Sequence, residues 1–92
     1  NASRGETVDE QALLEALRTG QIRAAALDVY AQEPVDKNHP LLALPQVVTV
    51  PHIGSATAQT RLAMAMLAAE NLVDGVLGRR PKHIVKELAD IF

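Results

Sequence analysis

Four side chains of the sequence can bind anions or transfer protons: Arg4, Asp28, Glu33 and His52. A guanidinium can donate two parallel hydrogen bonds to a carboxylate, and an imidazole can exchange a proton near neutral pH. Taken singly, each residue has a simpler interpretation. Arg4 would be a surface charge, the two acids turn residues, and His52 a buried histidine bonded to backbone. Their positions at the ends of predicted elements favour a shared functional site instead.

The first half of the chain predicts a helix followed by a strand. Residues 7–20 have apolar side chains on one face and end in a glycine, which is typical of a helix. Its N-cap is either Thr7, which has capping-box spacing with Glu10, or Asp9. Residues 22–30 form a nearly continuous apolar run, which predicts a strand buried on both faces of a parallel sheet.

The second half predicts a loop, a strand and a long helix. Three prolines make 31–46 a loop, and 47–50 predicts a second buried strand. A long helix is predicted over 57–77, with Ser55 or Thr57 as its N-cap. An apolar stripe with helical spacing runs along it, formed by Leu62, Met66, Ala69, Val73 and Val76.

This order of elements predicts an α/β fold, the C-terminal half of a doubly wound parallel sheet that ends in a long helix. Ligands of such sheets bind beyond the carboxyl ends of the strands. The clusters NASRG, DVYAQEP and PHIGSAT occupy such positions, so we expect Arg4, Asp28, Glu33 and His52 to converge on one crevice. Two central strands need more cover than 92 residues offer, so we expect the chain to be part of a larger protein.

The charge and the residue composition argue against several classes of function. A formal net charge of −2 with scattered basic residues argues against a nucleic-acid partner. The sequence has no cysteine, and its three histidines are too scattered for a zinc site, so we expect no metal. No apolar run approaches the roughly 18 residues of a membrane helix. A hydrolase triad of Ser55, His52 and Asp28 lacks the G-x-S-x-G elbow.

The sequence resembles the C-terminal signature region of the D-isomer-specific 2-hydroxyacid dehydrogenases. Two stretches carry the resemblance, NASRGETVDEQALLEALRTGQIRAAALDVYAQEP and HPLLALPQVVTVPHIGSAT. It implies a Rossmann-like fold, NAD or NADP as cofactor, and interconversion of a 2-oxo acid and a D-2-hydroxy acid, with glyoxylate or hydroxypyruvate preferred. It also implies that residues 1–78 are the C-terminal part of a dinucleotide-binding domain. Residues 79–92 would then be a tail that returns toward a substrate domain.

The resemblance further implies roles for single residues. Arg4 of the RG motif would hold the carboxylate and carbonyl oxygen of the substrate, and Asp28 of LDV would bond the nicotinamide carboxamide. Glu33 and His52 would form the acid–base pair. Ser55 would bond the substrate or His52, or would simply cap the long helix. The implied set is catalytic Arg4, Glu33 and His52, cofactor-binding Ala2, Ser3, Arg4, Asp28, His52 and Gly54, and substrate-binding Arg4, His52 and Ser55.

The family's glycine-rich phosphate loop is absent from these 92 residues, so we expect the chain alone to be inactive. For the whole protein we expect a cytoplasmic homodimer that acts on a small 2-oxo or 2-hydroxy acid, without membrane partners. Two other functions stay open: a non-catalytic NAD-binding corepressor of the same fold, and a free-standing interaction module. The presence of Arg4, Glu33 and His52 together favours the enzyme.

Overall fold

The computed structural model of the protein describes residues 1–91, which form two units divided between Gly54 and Ser55. The first unit contains helix α1 (Glu10–Arg18) and two strands, β1 (Ala25–Leu27) and β2 (Val47–Thr49). The strands are parallel, with Ala25 opposite Val47 and Leu27 opposite Thr49. Parallel strands alternating with helices confirm the predicted α/β class.

Helix α1 begins at the second of the two predicted caps. The Asp9 carboxylate accepts a hydrogen bond of 3.0 Å from the backbone N–H of Ala12, which satisfies one of the free donors of the first turn. Thr7 instead ends a 3₁₀ turn (Gly5–Thr7), and its hydroxyl donates to the carbonyl of Arg4 at 2.7 Å. The helix ends before Gly20, whose φ of 77° is the left-handed conformation that glycine adopts easily.

Both strands are shorter than their apolar runs, and they are not buried on both faces as predicted. Val48 in the middle of β2 is 64% exposed. Helix α1 and a 3₁₀ turn (Pro40–Ala43) contribute Leu14, Leu17 and Leu41 to a single core cluster with Leu27 of β1. These elements cover one face of the two-stranded sheet, and Val48 lies on the face that they leave open.

Asn1 pairs with the free edge of β1, as one residue of a third strand would. Its amino group donates to the carbonyl of Ala26 at 2.7 Å, and its carbonyl accepts from the backbone N–H of Asp28 at 2.9 Å. These two bonds continue the ladder beyond β1 on the side opposite β2. The NASRG segment is thereby attached beside the end of β1.

Tyr30 ties the two strand ends together. Its hydroxyl lies 2.8 Å from the carbonyl of Val50 and 3.2 Å from that of Leu27. Burial raises the pKa of Tyr30, which keeps the hydroxyl protonated and able to donate. The carboxyl ends of β1 and β2 are therefore held side by side, which is where the predicted site residues follow in the chain.

The second unit contains helix α2 (Ala58–Val76), close to its predicted limits. Thr57 caps it by accepting from the backbone N–H of Thr60 at 3.1 Å, so Thr57 and not Ser55 is the N-cap. None of its residues is buried, and the predicted apolar stripe is exposed, with Leu62 at 65% and Val76 at 77%.

The chain after α2 turns back along this helix. The Asn71 side chain donates to the carbonyl of His83 at 2.7 Å and accepts from its backbone N–H at 3.2 Å. Of the predicted tail, Phe92 lies outside the described residues. No helix within residues 1–91 is long and apolar enough to cross a membrane.

Candidate active site

A histidine–carboxylate pair lies beyond the carboxyl ends of the two strands. Nδ1 of His52 is 2.7 Å from Oε2 of Glu33, although the two residues are 19 positions apart in the chain. Their side chains are 47% and 35% exposed, so the pair is open to a small molecule. It borders a cavity of about 210 Å³ that is also lined by Tyr30, Pro34, Val35 and Pro51.

Glu33 is held as an ionised acceptor. The hydrogen bond from His52 lowers the pKa of the Glu33 carboxyl, and the bond of 3.1 Å from the backbone N–H of Tyr30 to its other oxygen lowers it further. The positive charge of Arg4 acts in the same direction. Because an ionised carboxylate can only accept, Nδ1 of His52 must donate, which leaves Nε2 as the ring atom available to a substrate.

His52 reaches Glu33 from an unusual backbone conformation. Its φ is 56°, in the left-handed region, where a residue with a Cβ is disfavoured by about 1–2 kcal/mol. The next two backbone N–H groups, those of Ile53 and Gly54, each donate at 2.7 Å to one oxygen of Asp28. Hydrogen bonds to a charged group contribute about 1.5–3 kcal/mol each. The two bonds to Asp28 therefore outweigh the free-energy cost of the positive φ at His52.

Arg4 lies on an exposed segment beside β1. Its Nη1 donates to the carbonyl of Ser3 at 2.8 Å, and the Ser3 hydroxyl donates to Oδ1 of Asn1 at 2.9 Å. Gly5, next to Arg4, packs closely against the backbone of Tyr30, which follows β1. A Cβ on Gly5 would overlap the carbonyl of Tyr30. The structure thus brings the Arg4 segment to the strand ends, with Ala2 exposed at the same edge.

Ser55 is the one predicted site residue that falls in the second unit. It is exposed and follows Gly54 directly in the chain. Gly54 itself donates to Asp28, and a Cβ at this position would lie 3.0 Å from Oδ2 of Asp28. A side chain at this position would crowd the Asp28 carboxylate, which favours glycine in the PHIG turn.

A second histidine–carboxylate pair was not anticipated from the sequence. Nε2 of His39 lies 3.1 Å from Oε1 of Glu10, while Nδ1 of His39 accepts from the backbone N–H of Leu41. The other Glu10 oxygen accepts from the backbone N–H of Ala31. Both ring nitrogens of His39 are therefore engaged, and this pair fastens the 31–39 loop to α1, whereas Nδ1 alone of His52 bonds Glu33.

Sequence reasoning also missed Tyr30, which donates its backbone N–H to Glu33 and lines the cavity beside His52. It is the only tyrosine of the chain and follows the apolar run of β1 directly. A buried tyrosine usually finds a hydrogen-bond partner for its hydroxyl, so its isolation at a strand end was an available signal.

Comparison with known proteins identifies the family of the chain. Residues 1–54 match the sequence profile of the family described as "D-isomer specific 2-hydroxyacid dehydrogenase, NAD binding domain". Glyoxylate/hydroxypyruvate reductase B of Klebsiella pneumoniae is 55% identical over 85 residues, which are 92% of this chain and 26% of that protein. The corresponding protein of Escherichia coli is 53% identical over the same share of each chain.

Solved structures give the same result at the level of the backbone. A glyoxylate reductase from Paecilomyes thermophila superposes with a TM-score of 0.83 at 36% identity, over 95% of this chain and 26% of that one. An NADPH-dependent glyoxylate/hydroxypyruvate reductase from Sinorhizobium meliloti, solved with NADP and malonate, gives 0.74 at 46% identity, over 80% and 23%. The chain spans about a quarter of the length of the curated relatives that it matches. The match over residues 1–54, more than half of the chain, together with this backbone similarity, shows that the chain belongs to the D-isomer-specific 2-hydroxyacid dehydrogenase family.

Proposed function

We propose that the chain is the part of an NAD(P)-dependent oxidoreductase that carries its acid–base pair. The whole enzyme interconverts a 2-oxo acid and a D-2-hydroxy acid, with glyoxylate or hydroxypyruvate as the preferred substrate. The observation that supports this most directly is the 2.7 Å hydrogen bond between His52 and Glu33, beside an open cavity at the strand ends. The names of the two reductases that match the sequence support the substrate class.

In this proposal the protein supplies a proton donor and an anion site. The Glu33 carboxylate orients the ring through Nδ1, so that Nε2 of the protonated His52 ring gives a proton to the carbonyl oxygen of the 2-oxo acid. In the reverse direction Nε2 takes the proton from the hydroxyl. Arg4 binds the carboxylate of the substrate, and its exposed guanidinium suits a bidentate contact. Ser55 bonds the substrate in this proposal.

The open face of the sheet fits a flat nicotinamide ring. A shallow cavity of about 320 Å³ lies there, and the residues that line it include Ala26 of β1, Val48 of β2 and Asp28. Each oxygen of Asp28 accepts one backbone bond and retains a lone pair for a carboxamide N–H. Ala2, Ser3 and Gly54 border the same edge in this proposal. NAD(P)H, when bound, supplies the hydride.

The function is tested in the protein that carries this chain, at its full encoded length. We expect oxidation of NADH or NADPH in the presence of glyoxylate and hydroxypyruvate, and a D-configured product from hydroxypyruvate. Oxidation of neither cofactor with either acid, or an L-configured product, would contradict the proposal.

Arg4→Lys tests the anion site in the same assay. Loss of a bidentate charged contact, worth about 1.5–3 kcal/mol, is expected to raise KM for the 2-oxo acid by about 10–100-fold. Arg61→Lys is the matched control, since Arg61 is exposed in α2 and belongs to the other unit. Equal KM values for the two variants would show that Arg4 does not bind the substrate.

We further propose that the protein is a homodimer in the cytoplasm, in which residues 1–78 complete a dinucleotide-binding domain and 79–92 lead toward a substrate domain. Exposed apolar side chains on α2 support an interface, since Leu62, Leu72 and Val76 are 65%, 68% and 77% exposed.

Sedimentation equilibrium at micromolar concentration is expected to give twice the chain mass. Leu72→Glu is expected to shift the species to one chain. A monomer before substitution would refute the dimer.

A further inference from the structure

Asp28 lies behind the His52 turn and is almost fully buried, with 8% of its surface exposed. Oδ1 accepts the backbone N–H of Ile53 and Oδ2 that of Gly54, both at 2.7 Å. Its own backbone N–H donates to the carbonyl of Asn1, which fixes the residue at the end of β1. One carboxylate therefore joins the end of β1 to the two residues that follow His52.

We propose that Asp28 is a positioning residue that holds the backbone turn by which His52 reaches Glu33. The inference rests on the proposed function, since it concerns the proton donor of that reaction. The turn needs such a support because His52 carries a Cβ and yet has a φ of 56°. Without both acceptors, the N–H groups of Ile53 and Gly54 lose their partners. The backbone at His52 is then free to return to negative φ.

Gly54 also packs closely against the Asp28 carboxylate. A Cβ on Gly54 would lie 3.0 Å from Oδ2 of Asp28, closer than side-chain carbons normally come. A Cβ at position 54 therefore requires the Asp28 carboxylate to shift by a few tenths of an ångström. Asp28 and Gly54 thus form one unit, which can be disturbed from either side by substitution.

The test uses Asp28→Asn in the full-length protein, with two readouts. The first is the pKa of Glu33, followed by NMR of carboxyl-labelled glutamate, with Glu33→Gln to assign the signal. If His52 leaves Glu33, the bond that most lowers this pKa is lost, so the pKa rises toward its ordinary value. Removal of a nearby negative charge would by itself lower it, so a rise is specific to the loss of His52.

The second readout is kinetic. A misplaced proton donor slows the chemical step, so kcat at saturating cofactor is expected to fall by about 10–100-fold. Gly54→Ala, which keeps the Asp28 charge, is expected to change both readouts in the same direction and to a smaller extent. It also serves if Asp28→Asn does not fold.

Asp9→Asn is the matched control. Asp9 likewise accepts a backbone N–H, that of Ala12, but at the start of α1. It is expected to leave the Glu33 pKa and kcat unchanged. An unchanged Glu33 pKa in both Asp28→Asn and Gly54→Ala would overturn the inference. Because the pKa readout needs no turnover, an inactive parent protein would contradict the proposed function without affecting this test.

Discussion

Replacement of His52 by asparagine is expected to lower kcat for reduction of the 2-oxo acid by about 10²–10⁴-fold, the usual contribution of a positioned acid–base group. Asparagine is the suitable replacement because it tolerates positive φ better than most residues, and φ is 56° here. The backbone bonds from Ile53 and Gly54 to Asp28 should therefore remain. The loss then reports the imidazole alone. Steady-state kinetics with saturating cofactor measure it.

His83→Asn provides the control for this substitution. His83 is exposed, and its backbone N–H and carbonyl bond the side chain of Asn71. Its replacement is expected to leave kcat unchanged. A His52→Asn variant that retained more than about a tenth of the parental kcat would contradict the acid–base role. Such a loss is at most about 10-fold, whereas a general acid contributes at least about 100-fold.

Replacement of Gly5 by alanine is expected to reduce the free energy of unfolding by about 3 kcal/mol or more. A Cβ at this position would overlap the carbonyl of Tyr30 and crowd the backbone nitrogen of Ala31. These are backbone atoms at the end of β1, so they cannot turn aside as a flexible side chain could. The 3₁₀ turn must separate from the strand end. Chemical denaturation of parent and variant measures the difference.

Gly75→Ala is the matched change in a glycine with no such neighbour. It lies within α2, and nothing is found within 4 Å of the position of its Cβ. Alanine in a helix is expected to be more stable than glycine by about 0.5–1 kcal/mol. The two substitutions should therefore act in opposite directions. A Gly5→Ala variant that is as stable as the parent would show that the Arg4 segment does not lie against Tyr30.

Features that depend on neighbouring residues could be predicted from the sequence. The face of α1 with Leu14 and Leu17, the left-handed Gly20 and the extent of α2 follow from spacing and capping within a few positions. The α/β class and the placement of site residues after each strand follow from the order of elements. The sequence did not distinguish Asp9 from Thr7, or Thr57 from Ser55, as caps. In each case two residues of capping type lay within one turn.

The tertiary structure decided which polar atoms meet. Glu33 and His52 are 19 positions apart, Asp28 and Gly54 are 26 apart, and Glu10 and His39 are 29 apart. His52 follows β2 and His39 precedes the 3₁₀ turn (Pro40–Ala43), but these positions alone do not show which carboxylate each histidine meets. They differ because both nitrogens of His39 are bonded, while Glu33 meets His52 through Nδ1 alone. Such pairings depend on where the parallel strands end in space, and this is set by packing of the whole unit rather than by adjacent residues.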